Sequence, residues 1–213
     1  MLIAYLCAAA CLASALAAPA ADLVTNLPGW GAPLTTTYSG YLNIGVGGQN
    51  PKSLHYLLYT SQSGDANAPL ALWFNGGPGC SSLEGSFQES GPLWTAPGGL
   101  GLQKNAYTFN KFAHTLYLEA PACVGFSYAE KLVGCAHNDN STAADNLAAL
   151  EVFYTLFPEL SKNSLWINGE SYAGACPAWR WKPARRGIYP PDPLLSSPAR
   201  HLYPDAGLQH LQL

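Results

Sequence analysis

The chain has 213 residues and a mass of 22.6 kDa, which is long enough for one domain with a sizeable hydrophobic core. Hydrophobic residues make up 48% of the chain and charged residues only 11%, a composition that excludes a largely disordered protein. The net charge of −3 and the isoelectric point near 5.9 give no electrostatic reason to expect nucleic acid as a partner.

Residues 1–20 predict a secretory signal peptide, because they are apolar and rich in alanine. The apolar stretch is too short to span a bilayer comfortably, and residues 15–17 form an A-x-A cleavage pattern. The basic residues that usually precede such a stretch are missing, and a membrane anchor is the alternative interpretation. We therefore expect a protein of the secretory pathway with no membrane contact after cleavage.

Four segments before the clearest predicted helix predict β-strands. Residues 54–60 are aromatic and aliphatic between turn formers, and residues 38–44 are a plausible antiparallel neighbour. Residues 69–74 and 114–118 are short, continuous apolar runs, which are typical of strands buried on both faces.

The clearest predicted helix lies between residues 143 and 157. Apolar residues recur there at spacings of three and four and form one stripe: Ala143, Leu147, Leu150, Tyr154 and Phe157. Thr142 and Asp145 resemble a capping box, and Pro158 lies just past the end. Residues 165–168 then read as a further strand, so the order of elements implies a crossover onto a parallel sheet.

A secretory route would allow both disulfide bonds and N-glycosylation in this chain. After signal cleavage four cysteines remain, and in an oxidising compartment they allow three disulfide connectivities: Cys80, Cys123, Cys135 and Cys176. Their spacing does not resemble a zinc site, and no metal is expected. Asn140 begins an N-S-T sequon and is a candidate glycosylation site.

The composition changes sharply after residue 174. Residues 175–213 hold 7 of the 17 prolines and 5 of the 10 basic residues, but only 2 of the 13 acidic ones. Dense prolines break helices and remove hydrogen-bond donors from strands, so we expect a poorly ordered tail. The predicted organisation is a signal peptide over residues 1–20, a main folded domain over 21–174 and this divergent tail.

The run G-E-S-Y-A-G at residues 169–174 directly follows the predicted strand 165–168. This is the sequence form of a nucleophile elbow, a sharp turn that lifts a serine hydroxyl clear of a parallel sheet. Ser171 is therefore the candidate nucleophile. Ala173 occupies the last position of the motif in place of the usual glycine.

A second motif, N-G-G-P-G-C-S-S at residues 75–82, follows the buried strand 69–74. Glycines at this point let the backbone come close to a substrate, because no Cβ obstructs it. In hydrolases of this architecture one oxyanion donor comes from such a loop and the other from the residue after the serine. The N–H groups of Gly77 and Tyr172 are the candidates.

Residues 73–92, 118–128 and 169–174 together resemble the serine carboxypeptidases, α/β-hydrolase-fold peptidases of the cathepsin A and carboxypeptidase Y type. The resemblance covers roughly residues 22–174 and implies the N-terminal part of a mostly parallel sheet flanked by helices, truncated after the elbow. It also implies that Ser171 is the nucleophile, with Gly77 and Tyr172 as oxyanion hole. The positions implied for binding the substrate's C-terminal carboxylate are Asn75, Gly76, Glu89 and Glu170.

The resemblance implies peptides with a free C-terminus as substrates and no cofactor. A substrate carboxylate beside Glu89 and Glu170 would place like charges close together, so protons must be shared and a carboxyl pKa must rise. Such a site binds best at acidic pH, in keeping with a lysosomal or vacuolar compartment, although an extracellular one stays open. The resemblance also implies that the partner of Cys80 lies in an absent second half, and that Cys123 replaces a glycine.

We expect the catalytic aspartate and histidine to be missing from this chain. In this fold the chain order is serine, aspartate, histidine, and few residues after Ser171 qualify: Asp192, Asp205, His201 and His210. The histidines that precede the serine have the wrong order, and core or surface roles are expected for them: His55, His114 and His137. We predict negligible activity, and we interpret the tail as the product of a frameshift, a retained intron or a gene-model error.

Two other functions fit the sequence. One is an acyltransferase on the same scaffold, in which an alcohol replaces water at deacylation. The other is a non-catalytic secreted binding protein or a nonfunctional fragment. The sequence leaves the oligomeric state and the preferred substrate side chain open.

Overall fold

A seven-stranded mixed sheet organises residues 18–174 and 208–212, the part of the chain that the computed structural model describes. The strands are β1 (Thr37–Ile44), β2 (Lys52–Tyr59), β3 (Leu70–Phe74), β4 (Leu93–Thr95), β5 (Leu102–Lys104), β6 (His114–Leu118), β7 (Tyr128–Ala129), β8 (Leu165–Glu170) and β9 (Leu208–Gln212). The α-helices are α1 (Ser82–Glu84), which continues into a π-helical turn at Gly85–Glu89, and α2 (Asp139–Leu156). Short 3-10 turns lie at Ala20–Asp22, Pro97–Gly99, Phe109–Lys111, Leu132–Cys135, Pro158–Lys162 and Ser171–Gly174.

The strand order is β1-β2-β6-β3-β8-β9, while β7 pairs with the first residues of β2 and β4 pairs with β5 in a separate sheet. Strands β6, β3 and β8 are parallel, and Leu72 pairs with Leu116 on one side and Ile167 on the other. The predicted strands and the crossover onto a parallel sheet are confirmed. Because the chain leaves β3 toward β6 and crosses back to β8, the carboxyl ends of β3 and β8 form a topological switch point.

Strand β9 corrects the expectation of a poorly ordered tail for the five residues Leu208–Gln212. It runs antiparallel to β8, with Leu208 opposite Glu170 and His210 opposite Asn168. Backbone pairing along an exposed strand edge needs no strong sequence periodicity, so composition alone did not reveal it. The rest of the predicted tail, and the predicted signal peptide up to residue 17, lie outside the described residues.

Helix α2 confirms the predicted helix but corrects its start and its buried face. The N-cap is Asn138, which forms a reciprocal capping box with Ser141, whereas Asp145 receives a 2.5 Å hydrogen bond from Lys52. Leu147 is 39% exposed, so the predicted stripe is wrong at this position. The buried residues of the helix are Thr142, Ala143, Asn146, Ala149, Leu150 and Phe153. A local sequence pattern reveals neither the cap supplied by the preceding loop nor the contact between Lys52 and Asp145, which are 93 residues apart.

The core lies on both faces of the sheet. The larger cluster packs α2 against one face, where Phe153 and Phe157 stack with centroids 4.8 Å apart. A smaller cluster lies on the other face, because alternate residues of a strand point to opposite sides; it contains Leu57, Tyr59, Trp73 and Tyr117. Among the described residues no helix is long and apolar enough to cross a membrane.

The described residues contain one disulfide bond, whose partners the sequence had left open. Cys123 and Cys135 form a disulfide, and Cys80 is an exposed free thiol. Cys123 has a φ of +74°, a left-handed conformation that normally favours glycine. Cys176 lies outside the described residues.

Candidate active site

Ser171 occupies a sharp turn at the carboxyl end of β8. Its φ of +53° is left-handed, a conformation that costs a non-glycine residue about 1–3 kcal/mol and that clusters at functional sites. The chain enters the 3-10 turn Ser171–Gly174 directly from the strand. The predicted strand–turn geometry of a nucleophile elbow is therefore present.

The glycine loop after β3 lies against this elbow. A Cβ added at Gly76 would lie 2.8 Å from the amide nitrogen of Tyr172 and 3.0 Å from the Cβ of Ser171. Gly77 has a φ of +110°, which side chains rarely adopt. Only glycine at position 76 lets the two backbones approach this closely, so the loop carrying Gly77 and the turn carrying Tyr172 meet at Ser171.

Hydrogen bonds join this loop to two glutamates. The side-chain amide of Asn75 donates to Oε1 of Glu89 over 2.9 Å, and the N–H of Gly76 donates to Oε1 of Glu170 over 3.1 Å. The amide of Asn75 cannot be reversed, because its oxygen accepts from the Trp73 indole at 2.8 Å and from the backbone of Gly85 at 3.0 Å. The structure thus brings together all four residues expected to bind a carboxylate.

The environment of Glu89 favours its neutral form. Burial raises the pKa of this carboxyl, the hydrogen bond from Asn75 opposes the rise, and the negative charges of Glu170 and Glu84 add to it. A glutamate that keeps its proton to higher pH can donate a hydrogen bond to an anionic ligand. The expected proton sharing therefore has a physical basis in Glu89.

A cleft of about 680 Å³ opens over the glycine loop. Pro78 and Gly79 line one side, Ala120 and Pro121 line another, and the first turn of α2 closes it. The predicted glycosylation site, Asn140, is exposed in that turn and also lines the cleft. Within the described residues no cluster of His, Cys, Asp or Glu could hold a metal ion.

The three histidines whose side chains the structure describes each hydrogen-bond groups other than Ser171, although His137 lines the same cleft as Tyr172. His55 hydrogen-bonds Glu119 and Ser39, each over 2.9 Å. Nε2 of His137 hydrogen-bonds the carbonyl of Ala122 over 2.9 Å. Nδ1 of His114 accepts from the amide of Ser61 over 3.3 Å, and burial lowers the pKa of this histidine.

Glu119 is a site residue that the sequence analysis quoted within a motif but assigned no role. It follows β6 at the same edge of the sheet as Asn75 and Ser171, and it is fully buried. An acidic residue directly after a continuous apolar strand was the available signal, since buried charges are rare unless paired.

A left-handed serine after a central parallel strand, faced by a glycine loop from the neighbouring strand, is how hydrolases of the α/β-hydrolase fold present their nucleophile. The family model described as "Serine carboxypeptidase" matches residues 28–178. The chain belongs to the serine carboxypeptidase family.

Known relatives agree with this assignment. The lysosomal protective protein of Mus musculus is 45% identical over 159 residues, covering 74% of this chain and 32% of its own length. Serine carboxypeptidase ctsa-4.1 of Caenorhabditis elegans is 44% identical over 164 residues, covering 75% and 33%. This chain therefore spans about a third of the length of the curated relatives it matches.

A solved structure gives the same fold. The crystal structure of Kex1(delta)p, a prohormone-processing carboxypeptidase from Saccharomyces cerevisiae, aligns with a TM-score of 0.59 and 25% identity. The alignment covers 66% of this chain and 32% of that one. The described residues thus form a partial α/β-hydrolase fold, as the sequence predicted.

Proposed function

We propose that this chain binds peptides by their free C-terminal carboxylate and holds the scissile carbonyl at Ser171, the arrangement of a serine carboxypeptidase. The observation that carries the proposal is the pair of hydrogen bonds from Asn75 to Glu89 and from Gly76 to Glu170, directly beside Ser171. Amide donors beside a carboxyl whose pKa is raised suit a carboxylate ligand.

The reaction itself would be acyl transfer in two steps. The hydroxyl oxygen of Ser171 attacks the last peptide carbonyl, the N–H groups of Gly77 and Tyr172 stabilise the oxyanion, and the terminal amino acid leaves with a proton. Water then hydrolyses the acyl-enzyme and regenerates the serine.

Peptide binding should persist in this chain even where catalysis fails. A serine hydroxyl needs a neighbouring base, and His55, His114 and His137 hydrogen-bond other groups. Among the late candidates only the backbone of His210 is described, in β9 opposite Asn168 of β8. The others lie outside the described residues. We therefore propose that C-terminal recognition persists in this chain while acylation of Ser171 is very slow.

Isothermal titration of the full chain with an N-blocked dipeptide tests the binding step. We expect binding at about pH 5 that weakens at least about tenfold at about pH 7.5, because Glu89 loses its proton and repels the ligand. The same dipeptide with an amidated C-terminus should bind at least about tenfold more weakly at the lower pH. Equal affinity for acid and amide would contradict carboxylate recognition.

The variant Glu89→Gln identifies the proton donor. A neutral amide at position 89 should keep binding at the higher pH, so the pH dependence flattens. Glu130→Gln is the matched control, because Glu130 is an exposed glutamate away from the cleft. An unchanged pH profile in Glu89→Gln would remove Glu89 from the proposal.

Labelling with a fluorophosphonate tests the catalytic step and the alternatives. We expect a rate far below that of active relatives, with the residual label at Ser171 and its loss in Ser171→Ala. Rapid labelling with transfer of an acyl group to an alcohol would favour the acyltransferase. Absence of both labelling and dipeptide binding in a folded, monodisperse chain would favour the secreted binding protein.

The proposed location is the secretory pathway, with a lysosomal, vacuolar or extracellular end point. One relative is named a lysosomal protective protein, and an acid-favoured carboxylate site suits such a compartment. Peptides with a free C-terminus are the proposed partners, without nucleic acid.

A further inference from the structure

The carboxylate of Glu119 joins the two walls of the cleft. Its Oε1 accepts a short hydrogen bond from the hydroxyl of Ser81, the residue that ends the glycine loop. Its Oε2 accepts from the backbone amide of Phe126, in the loop that begins with Ala120 and Pro121, over 2.9 Å. One buried side chain therefore holds both loops that line the cleft.

The network defines Glu119 as an ionised acceptor. His55 approaches Oε2 through Nδ1 at 2.9 Å, so the carboxylate has three neighbouring donors in His55, Ser81 and Phe126. Burial would raise the pKa of Glu119, but these hydrogen bonds outweigh burial and hold its pKa below the usual value. His55 is itself held by Ser39, whose Oγ lies 2.9 Å from Nε2.

The Ser81 contact holds one end of the glycine loop, whose other end lies beside Ser171. The glycine loop is fastened at its far end by adjacent serines, because the Ser82 hydroxyl donates to the carbonyl of Leu118 over 2.7 Å. At its near end Gly76 touches the elbow at Ser171. A shift of the far end would therefore be passed along the loop to Gly77, the candidate oxyanion donor.

We propose that Glu119 is a positioning residue, which, through Ser81, fixes the glycine loop so that its amide donors face the bound ligand. The proposal rests on the proposed function for the role of that loop. Under this proposal the buried pair of His55 and Glu119 contributes to ligand binding as well as to folding.

Variants of Ser81 test the contact while the side chains of Glu119 and His55 stay in the chain. Ser81 also caps α1 by accepting from the amide of Leu83 over 3.2 Å, so the variants must separate the two roles. Ser81→Ala loses both, Ser81→Thr keeps both, and Ser81→Asp keeps the cap but places a negative charge against Glu119. Ser161→Ala is the matched control, since this serine donates to the carbonyl of Pro158 far from the cleft.

Amide hydrogen exchange of the full chain measures the position of the loop. In Ser81→Ala and Ser81→Asp we expect exchange of residues 76–82 to accelerate at least about tenfold, because a charge-assisted hydrogen bond is lost. Exchange of residues 149–156 in α2 should stay unchanged, and Ser81→Thr should restore the loop. A merely structural role would instead accelerate exchange throughout the core. Wild-type exchange in Ser81→Asp would overturn the proposal.

Dipeptide titration then separates this inference from the proposed function. If the wild-type chain binds the free-acid dipeptide, Ser81→Asp should weaken that binding about tenfold or more, whereas Ser161→Ala should not. Unchanged binding in Ser81→Asp would refute positioning by Glu119 and leave carboxylate recognition standing. If the wild-type chain does not bind, the proposed function fails, and the exchange measurement alone decides whether Glu119 holds the loop.

Discussion

Replacing Gly125 by alanine should displace the Glu119 carboxylate from its hydrogen-bond partners. Gly125 has a φ of +56°, and a Cβ added there would overlap Oε1 of Glu119 and lie 2.7 Å from its Oε2. A flexible exposed side chain could swing away from such a methyl group. Glu119 cannot do so at low cost, because it is fully buried and bound by Ser81, His55 and Phe126.

The expected magnitude has two parts. Placing alanine in a left-handed conformation costs about 1–2 kcal/mol. Displacing a buried carboxylate from its partners adds about 3–5 kcal/mol, the range found when a buried ion pair loses one member. The sum is a large fraction of the roughly 5–15 kcal/mol that stabilises a typical domain.

Gly64→Ala is a close control, because Gly64 has a φ of +71° and open space around the position of an added Cβ. Urea unfolding followed by tryptophan fluorescence should show Gly125→Ala to be less stable than Gly64→Ala by about 3 kcal/mol or more. In the background of Glu119→Asp, whose shorter side chain withdraws from the methyl group, Gly125→Ala should be less harmful. Equal losses in Gly125→Ala and Gly64→Ala would refute the reasoning.

Three further measurements test other parts of the fold. Cys123→Ser opens a disulfide with a sequence separation of 12 and should lower the free energy of unfolding by about 3 kcal/mol, a loss that the wild-type chain should share under reducing conditions. Asn138→Ala removes the N-cap of α2 and should cost about 1 kcal/mol in urea unfolding, whereas no loss would reject the capping assignment. The lowered pKa of Glu119 stabilises the folded state above the unfolded pKa of about 4.3. This stabilisation is lost as the pH falls through the folded pKa. Stability measured against pH should therefore decline less steeply on the acid side in Glu119→Gln than in the wild-type chain.

The helix α2 shows where local patterns suffice and where they do not. Spacing of apolar residues predicted the helix, because its length and its contact with the sheet leave a repeat in the sequence. The same pattern placed Leu147 in the core and the cap at Thr142, yet Leu147 is 39% exposed and Asn138 is the cap. Several side chains near a helix start can act as caps, and the incoming loop decides which one does.

The candidate site likewise contains residues that a local motif predicts and one residue that it does not. The strand–elbow and strand–glycine-loop motifs each lie within about ten residues, so Ser171 and Gly77 could be selected from sequence. Their catalytic roles stay predictions. Glu119 could not be selected, because its partner His55 is 64 residues away and only the pairing of β2 with β6 brings them together.

The sequence by itself determined the strand-forming segments, the main helix, the sharp turn at Ser171 and the family, because each depends on residues that are close together in the chain. Only the tertiary structure decided that β9 covers β8, that Cys123 pairs with Cys135, and that Glu119 holds both walls of the cleft. Those contacts join residues that are distant along the chain. Their free energy depends on burial and on hydrogen bonds that exist only once the sheet has assembled.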